Sequence, residues 1–177
     1  MSVAILFESI EGQTRKIAEY VAGRIGRAGQ AVTLIDVGDK MVQVSFAGVE
    51  KVILAAPVHE RRHPEAFEVF IAASRSDLQA RRTLMLSISL SAAFPEAIEE
   101  AGEYLIEMQM RTGFVADASA LVAGAVKPGS YDWFARQVVR NNVLLDRGLD
   151  VTDADQEFTD WTALDATLGD FLELPAA

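Results

Sequence analysis

Ser9, Gly12 and Thr14 carry the first chemical signal in this chain. They stand in "FESIEGQT", residues 7 to 14. An apolar run, Ala4-Ile5-Leu6-Phe7, precedes them, and apolar residues return at helical spacing afterwards. A strand, a small-residue loop and a helix start together make an anion site, because the first N–H groups of a helix have no partner within it. Ser9 and Thr14 offer hydroxyl donors, and Gly12 lets the backbone approach closely. The N–H groups of Ile10, Glu11, Gly12, Gln13 and Thr14 can converge as a nest. The loop contains no Lys, so G-x-x-x-x-G-K-[ST] is absent, as is G-x-G-x-x-G. Triphosphate hydrolysis and Rossmann-type NAD binding are therefore disfavoured. Two readings stay open here: a single phosphomonoester on neutral donors, or a capped turn with no ligand.

Such a loop needs elements to hold it. Val3–Phe7 reads as a buried strand, and Gln13–Arg27 as a helix with Ile17, Val21 and Ile25 on one face. Ala31–Val37, Lys51–Ala56, Thr83–Leu90 and Ala118–Val126 read as further strands. Pro64–Leu78 and Pro95–Met110 read as helices, each begun by a proline. Thr159 is the expected N-cap of a last helix. Continuous apolar strands alternating with amphipathic helices predict an α/β doubly wound parallel sheet, order 2-1-3-4-5. No repeat or linker interrupts the pattern, so residues 1–177 are expected to form a single domain. Ligands of such sheets bind outside the carboxyl ends of the strands. That edge is made by the loops at residues 8–14, 57–63 and 89–94.

The bulk numbers narrow the classes. With 50% apolar residues the chain is not a disordered one,. It has no Cys, which excludes disulfides, thiolate metal sites and a Cys nucleophile,. His59 and His63 are the only histidines, and no metal-ligand spacing is visible. A net charge of −10 makes nucleic acid a poor partner and opposes adhesion to an anionic membrane,. No apolar stretch reaches the roughly 18–20 residues of a span. The chain reads as a strand from its first residues, without a signal peptide, so a cytoplasmic location is expected, with at most peripheral contact at the inner membrane face.

"ILFESIEGQT" resembles the flavodoxin phosphate-loop signature, with Ile5, Leu6, Phe7, Ser9, Gly12 and Thr14 at its specified positions and Glu8 and Glu11 at free ones. "ILF…GQTRKIA", "KVILAAPV…AFEVF", "LVAGA…YDWFAR" and "TDW" are similar to the flavodoxin-like, menaquinone-dependent protoporphyrinogen oxidases. The resemblance implies a flavodoxin-like fold, with residues 127–157 inserted between the fifth strand and the last helix. It implies FMN as cofactor, its phosphate on Ser9, Gly12, Gln13 and Thr14 with Ile10 and Glu11 alongside. The ring then lies between Pro57, Val58, His59 and Glu60 on one side and Ser89, Leu90 and Ser91 on the other. It also implies oxidation of a tetrapyrrole, protoporphyrinogen IX, with electrons passing to a quinone. A homodimer is compatible with it.

The second loop departs from the family. Glu60 stands where a ring-stacking side chain is expected, and Arg61 where Gly is expected. Arg61 and Arg62 either reach the propionates of a porphyrinogen or form, with Glu60, a solvated charge cluster. In the insert, Trp133, Phe134, Arg136 and Arg140 either meet an apolar, anionic tetrapyrrole or a lipid surface, or pack the insert onto the sheet, or form a dimer contact. His59 and His63 are candidates for a proton relay, His59 alone for a ring-edge contact. Phe94 either covers the ring or staples the next helix. The acidic surface also suits an FMN electron carrier docking on a basic partner. A family member without flavin is a third reading, resting on Glu60 and Arg61.

Overall fold

The computed structural model describes residues 1–127 and 155–177. Seven strands and five helices are named in these residues. β1 (Ser2–Phe7), β2 (Ala31–Asp36), β3 (Lys51–Pro57), β4 (Arg82–Ser89) and β5 (Ala118–Ala123) form one sheet. Its order is β2-β1-β3-β4-β5 and every pair is parallel, as the alternation predicts. β6 (Ala125–Val126) and β7 (Gln156–Glu157) pair antiparallel as a separate stem. The helices are α1 (Gln13–Arg27), α2 (Glu65–Ala73), α3 (Arg75–Gln79), α4 (Ile98–Thr112) and α5 (Trp161–Glu173).

Strand alternation sends successive side chains to opposite faces. Val3, Ile5 and Phe7 of β1 pack with Ile17 and Val21 of α1 and with Leu164 and Phe171 of α5. Ala4 and Leu6 pack on the other face with Phe67 and Ile71 of α2 and Met108 of α4. Both faces of β1, β3 and β4 are thus covered, which is why these strands are apolar without interruption. Each Leu, Ile or Phe so buried stabilises the fold by about 1.5–3 kcal/mol.

Two charged side chains are built into this frame. Lys51 opens β3 and is almost fully buried. Its ammonium donates to the carbonyls of Phe171 (3.0 Å), Leu172 (2.6 Å) and Leu174 (2.6 Å), where the α5 dipole is negative,. Glu68 of α2 is buried too and accepts from Arg111 of α4 (2.8 Å) and from Arg62 (2.9 Å). Burial pushes this carboxyl up, but the two guanidinium groups outweigh it and hold it below its usual range.

Several boundaries differ from expectation. The helix predicted over Pro64–Leu78 breaks at Ser74 into α2 and α3. Pro95–Ala97 is a separate 3-10 turn ahead of α4. The strand predicted over Ala118–Val126 divides at Gly124, whose N–H goes to the Ser89 carbonyl (3.0 Å). Asp160, not Thr159, caps α5: its carboxylate accepts from Thr162 N–H (3.0 Å) and Ala163 N–H (2.9 Å). Thr159 is buried and donates instead to the Ala123 carbonyl (2.7 Å).

Candidate functional site

The sheet register aligns the carboxyl ends of β1, β3 and β4, and their loops enclose a cleft. The first loop contributes Ile10, Glu11, Gln13 and Thr14, the second Pro57, Val58 and His59, and the third Ser89 and Leu90. Ile88, Gly124 and Ala125 complete the wall and were not foreseen. Gly124 stands within the apparently continuous apolar run "ALVAGAV", and a glycine inside a strand pattern is the one signal that marks such a site. A Cβ there would lie 3.3 Å from Ile88 Cγ2, a tight approach, and 3.7 Å from the Ser89 carbonyl, so the stem crosses β4 closely at this glycine.

Within the first loop Ser9 organises the backbone. Its hydroxyl accepts from Gly12 N–H (3.1 Å) and Arg15 N–H (3.3 Å). With both accepting directions used, its own proton is directed elsewhere. Gly12 is left-handed (φ 88) and serves as N-cap without a side-chain bond. Gln13 and Thr14 follow as the first helical residues, and both are buried. Neither N–H has a partner among the described residues, as expected at a helix start. The Gln13 amide donates to Glu157 (3.1 Å) and to Thr159 (3.0 Å), tying the loop to the β6–β7 stem. Its Oε1 is buried with no partner among the described residues. Glu157 is held below the usual carboxylate range by Lys16 at 2.5 Å, against burial and with help from Gln13 and Trp161. Arg15 pairs with Asp36 at 2.6 Å.

The second loop turns on two residues. His59 and Arg62 exchange backbone hydrogen bonds (2.9 and 3.1 Å), and the residues between them, Glu60 and Arg61, have φ of 49 and 65. Positive φ at both central positions marks a type I′ turn, which favours Asn-Gly. The backbone therefore adopts the glycine-like conformation anticipated at Arg61, with an arginine in it. Replacing the pair, Glu60→Asn with Arg61→Gly, is expected to raise unfolding free energy by about 1 kcal/mol by relieving both left-handed residues. Urea denaturation checks this, and an unchanged or lower midpoint would show the turn is not strained.

The remaining candidates divide between the cleft and its surroundings. Glu60 is exposed at the turn tip and does not line the cleft. Arg61 binds Glu100 (3.0 Å) and lies 5.5 Å over the Tyr104 ring. Together with Ser91, which bonds Glu100 at 3.2 Å, they line a second, adjoining pocket. Arg62 is committed to Glu68 and joins neither pocket. His59 lies 3.6 Å from Glu11 across the cleft mouth. His63 is buried instead, with Nε2 3.0 Å from Ser87 Oγ, so the two histidines do not share the cleft as a relay would require. Phe94 packs on Phe158 beside the stem, with ring centroids 5.8 Å apart. Trp133 and Arg136, together with Phe134 and Arg140, lie outside the described residues.

Residues 4–148 match the family described as flavodoxin domain. This chain belongs to that family. Flavodoxin 1 from Bacillus cereus, in its oxidised crystal form, has a TM-score of 0.52 and 23% identity over 70% of this chain and 85% of its own, a likeness of fold. Two curated relatives of this flavodoxin domain extend much further along it. The "Protoporphyrinogen IX dehydrogenase [quinone]" of Escherichia coli (strain K12) is 25% identical over 91% of this chain and 89% of its own length. The protein of the same name from Leishmania major is 24% identical over 98% of this chain and 75% of its own.

Proposed function

We propose that this chain is an FMN-dependent oxidoreductase that oxidises protoporphyrinogen IX and delivers the electrons to a quinone. One observation carries the proposal: a neutral-donor loop opens directly into an apolar-walled cleft, in a chain matched over nine-tenths of its length by a dehydrogenase of that name. The cleft fits a flavin mononucleotide. Ser9, Gln13 and Thr14 offer donors to a phosphomonoester without a loop lysine. The orphaned Gln13 Oε1 is an acceptor suited to a ribityl hydroxyl. Pro57, Val58 and Leu90 form walls for a flat, apolar ring, and His59 stands at its edge. When bound, the flavin supplies the two-electron chemistry, and the protein supplies position and electrostatics.

The chain's own residues then have distinct tasks. The first loop anchors the phosphate and so fixes the ring's depth. Leu90 and Val58 exclude water from the ring faces. Arg61, in the pocket next to the cleft, would exchange its Glu100 partner for a substrate propionate. Trp133 and Arg136 are proposed as further tetrapyrrole contacts on the resemblance of the insert. Among the described residues no helix is long and apolar enough to cross a membrane.

The test begins with the visible spectrum of the purified protein and with FMN fluorescence on titration. Quenching is expected. Protein that leaves FMN fluorescence unchanged would sink the proposal at once. With flavin loaded, anaerobic oxidation of protoporphyrinogen should require added quinone. Turnover without it would remove the acceptor, and flavin binding without any oxidation would favour the electron-carrier reading.

A further inference from the structure

We propose that Lys127, the first residue of the insert, supplies the positive charge that the phosphate loop itself lacks. This rests on the FMN reading above. Among the described residues, Arg15, Lys16 and Lys127 come near the loop. Arg15 is paired with Asp36 and packs over Phe7, its guanidinium carbon 5.0 Å from the ring centroid. Lys16 is paired with Glu157 and lies 5.5 Å over the Trp161 ring. Both are spent on neighbours within the protein. Lys127 has no ion pair among the described residues, and its Nζ lies 3.6 Å from where a Cβ on Gly12 would stand. Gly12 has no such atom, and the ammonium stands on the side of the loop where a side chain there would begin.

The position is built rather than incidental. Val126, the preceding residue, is buried and pairs with Gln156 in the β6–β7 stem. The stem is fastened to the loop by Gln13 and Lys16 through Glu157. A second sign of a ligand stands in the same loop, next to Gly12: Gln13 Oε1, buried and unpartnered among the described residues. A phosphomonoester carries close to two negative charges at neutral pH, and a cation beside the neutral donors strengthens its hold. Lys127 comes from more than a hundred positions further along, where a search for a P-loop lysine would not look. The insert thereby becomes part of the cofactor site through its first side chain.

The experiment compares FMN with riboflavin, which has the same ring and no phosphate. Lys127→Met is expected to weaken FMN binding about 10-fold, as for loss of one charge-assisted contact, and riboflavin binding by no more than about twofold. The salt dependence of the FMN dissociation constant should become shallower in the variant. Lys127→Arg should recover most of the FMN affinity. Equal losses for both ligands would show a structural role and overturn the proposal, as would no loss for either. Failure of the FMN reading is separate, because then the unaltered protein would bind neither ligand.

Discussion

Ser9→Ala is expected to weaken FMN binding roughly 30-fold while changing riboflavin binding by no more than about threefold. The reason is the hydroxyl's geometry. It accepts two loop N–H groups, from Gly12 and Arg15, so its proton is left for a third partner. Ser9 itself does not line the cleft; on the proposed reading a phosphate oxygen held at the loop is that partner, and an O–H···O⁻ bond is worth about 1.5–3 kcal/mol. Losing the accepted bonds also loosens the loop, by about 1 kcal/mol on the scale of a lost cap. Thr14→Ala removes a buried hydroxyl one turn on and should act in the same direction. Fluorescence quenching by both ligands, with thermal unfolding as control, checks the claim. A parallel loss of FMN and riboflavin would remove Ser9 from the phosphate site.

Acidification from pH 6.5 to 4 should lower the unfolding free energy by about 3 kcal/mol through His63,. This side chain is 1% exposed, with Ser87 on Nε2 and no partner for Nδ1 among the described residues. Burial above all holds its pKa down to about 4; Glu68 beside it pulls upward and Arg111 downward. The unfolded chain therefore takes up a proton below pH 6.5 that the folded chain refuses. Stability is present above pH 6.5 and drains away as the pH falls, until folded His63 also protonates near pH 4. Glu68, held low by its arginines, adds its own loss only below about 4.5, the ordinary glutamate value. Glu8, pushed up by burial and by Asp36, acts in the opposite sense and shallows the slope. Urea denaturation at a series of pH values isolates the histidine: His63→Gln should flatten the curve between pH 6.5 and 4.5. An acid limb of unchanged slope in that variant would place its origin elsewhere.

How much of this was legible in advance depends on how local the cause is. β1, β3 and β4 are buried on both faces, and burial on both faces writes itself as an unbroken apolar run. The Ser9–Thr14 loop was legible because its spacing alone sets a backbone turn into a helix start. The break at Ser74 was not, since neither Gly nor Pro marks it. Thr159 looked like a cap because its type suits one, but the amide of Gln13 and the carbonyl of Ala123 claim its hydroxyl, and Asp160 next door does the capping. Glu60 and Arg61 are types that ordinarily avoid positive φ, so the turn they form left no trace in their identities. Arg62 and His63 read as candidates for chemistry, yet Glu68 and Ser87, which claim them, lie on α2 and β4. Lys127 is invisible for the same reason: what matters about it is Gly12, more than a hundred positions earlier.

The Gln13 amide has a bearing on how this protein comes into being. Its two partners, Glu157 and Thr159, are 144 and 146 residues further along. During synthesis the loop and the start of α1 leave the ribosome long before either partner exists. Until then the amide has no protein group to hold it, and the stem that carries Lys127 cannot close. The tie between loop and stem is thus made late although the chain's most recognisable motif is made first. A chain cut short before Glu157 would keep the phosphate-loop sequence and lose both partners of the Gln13 amide.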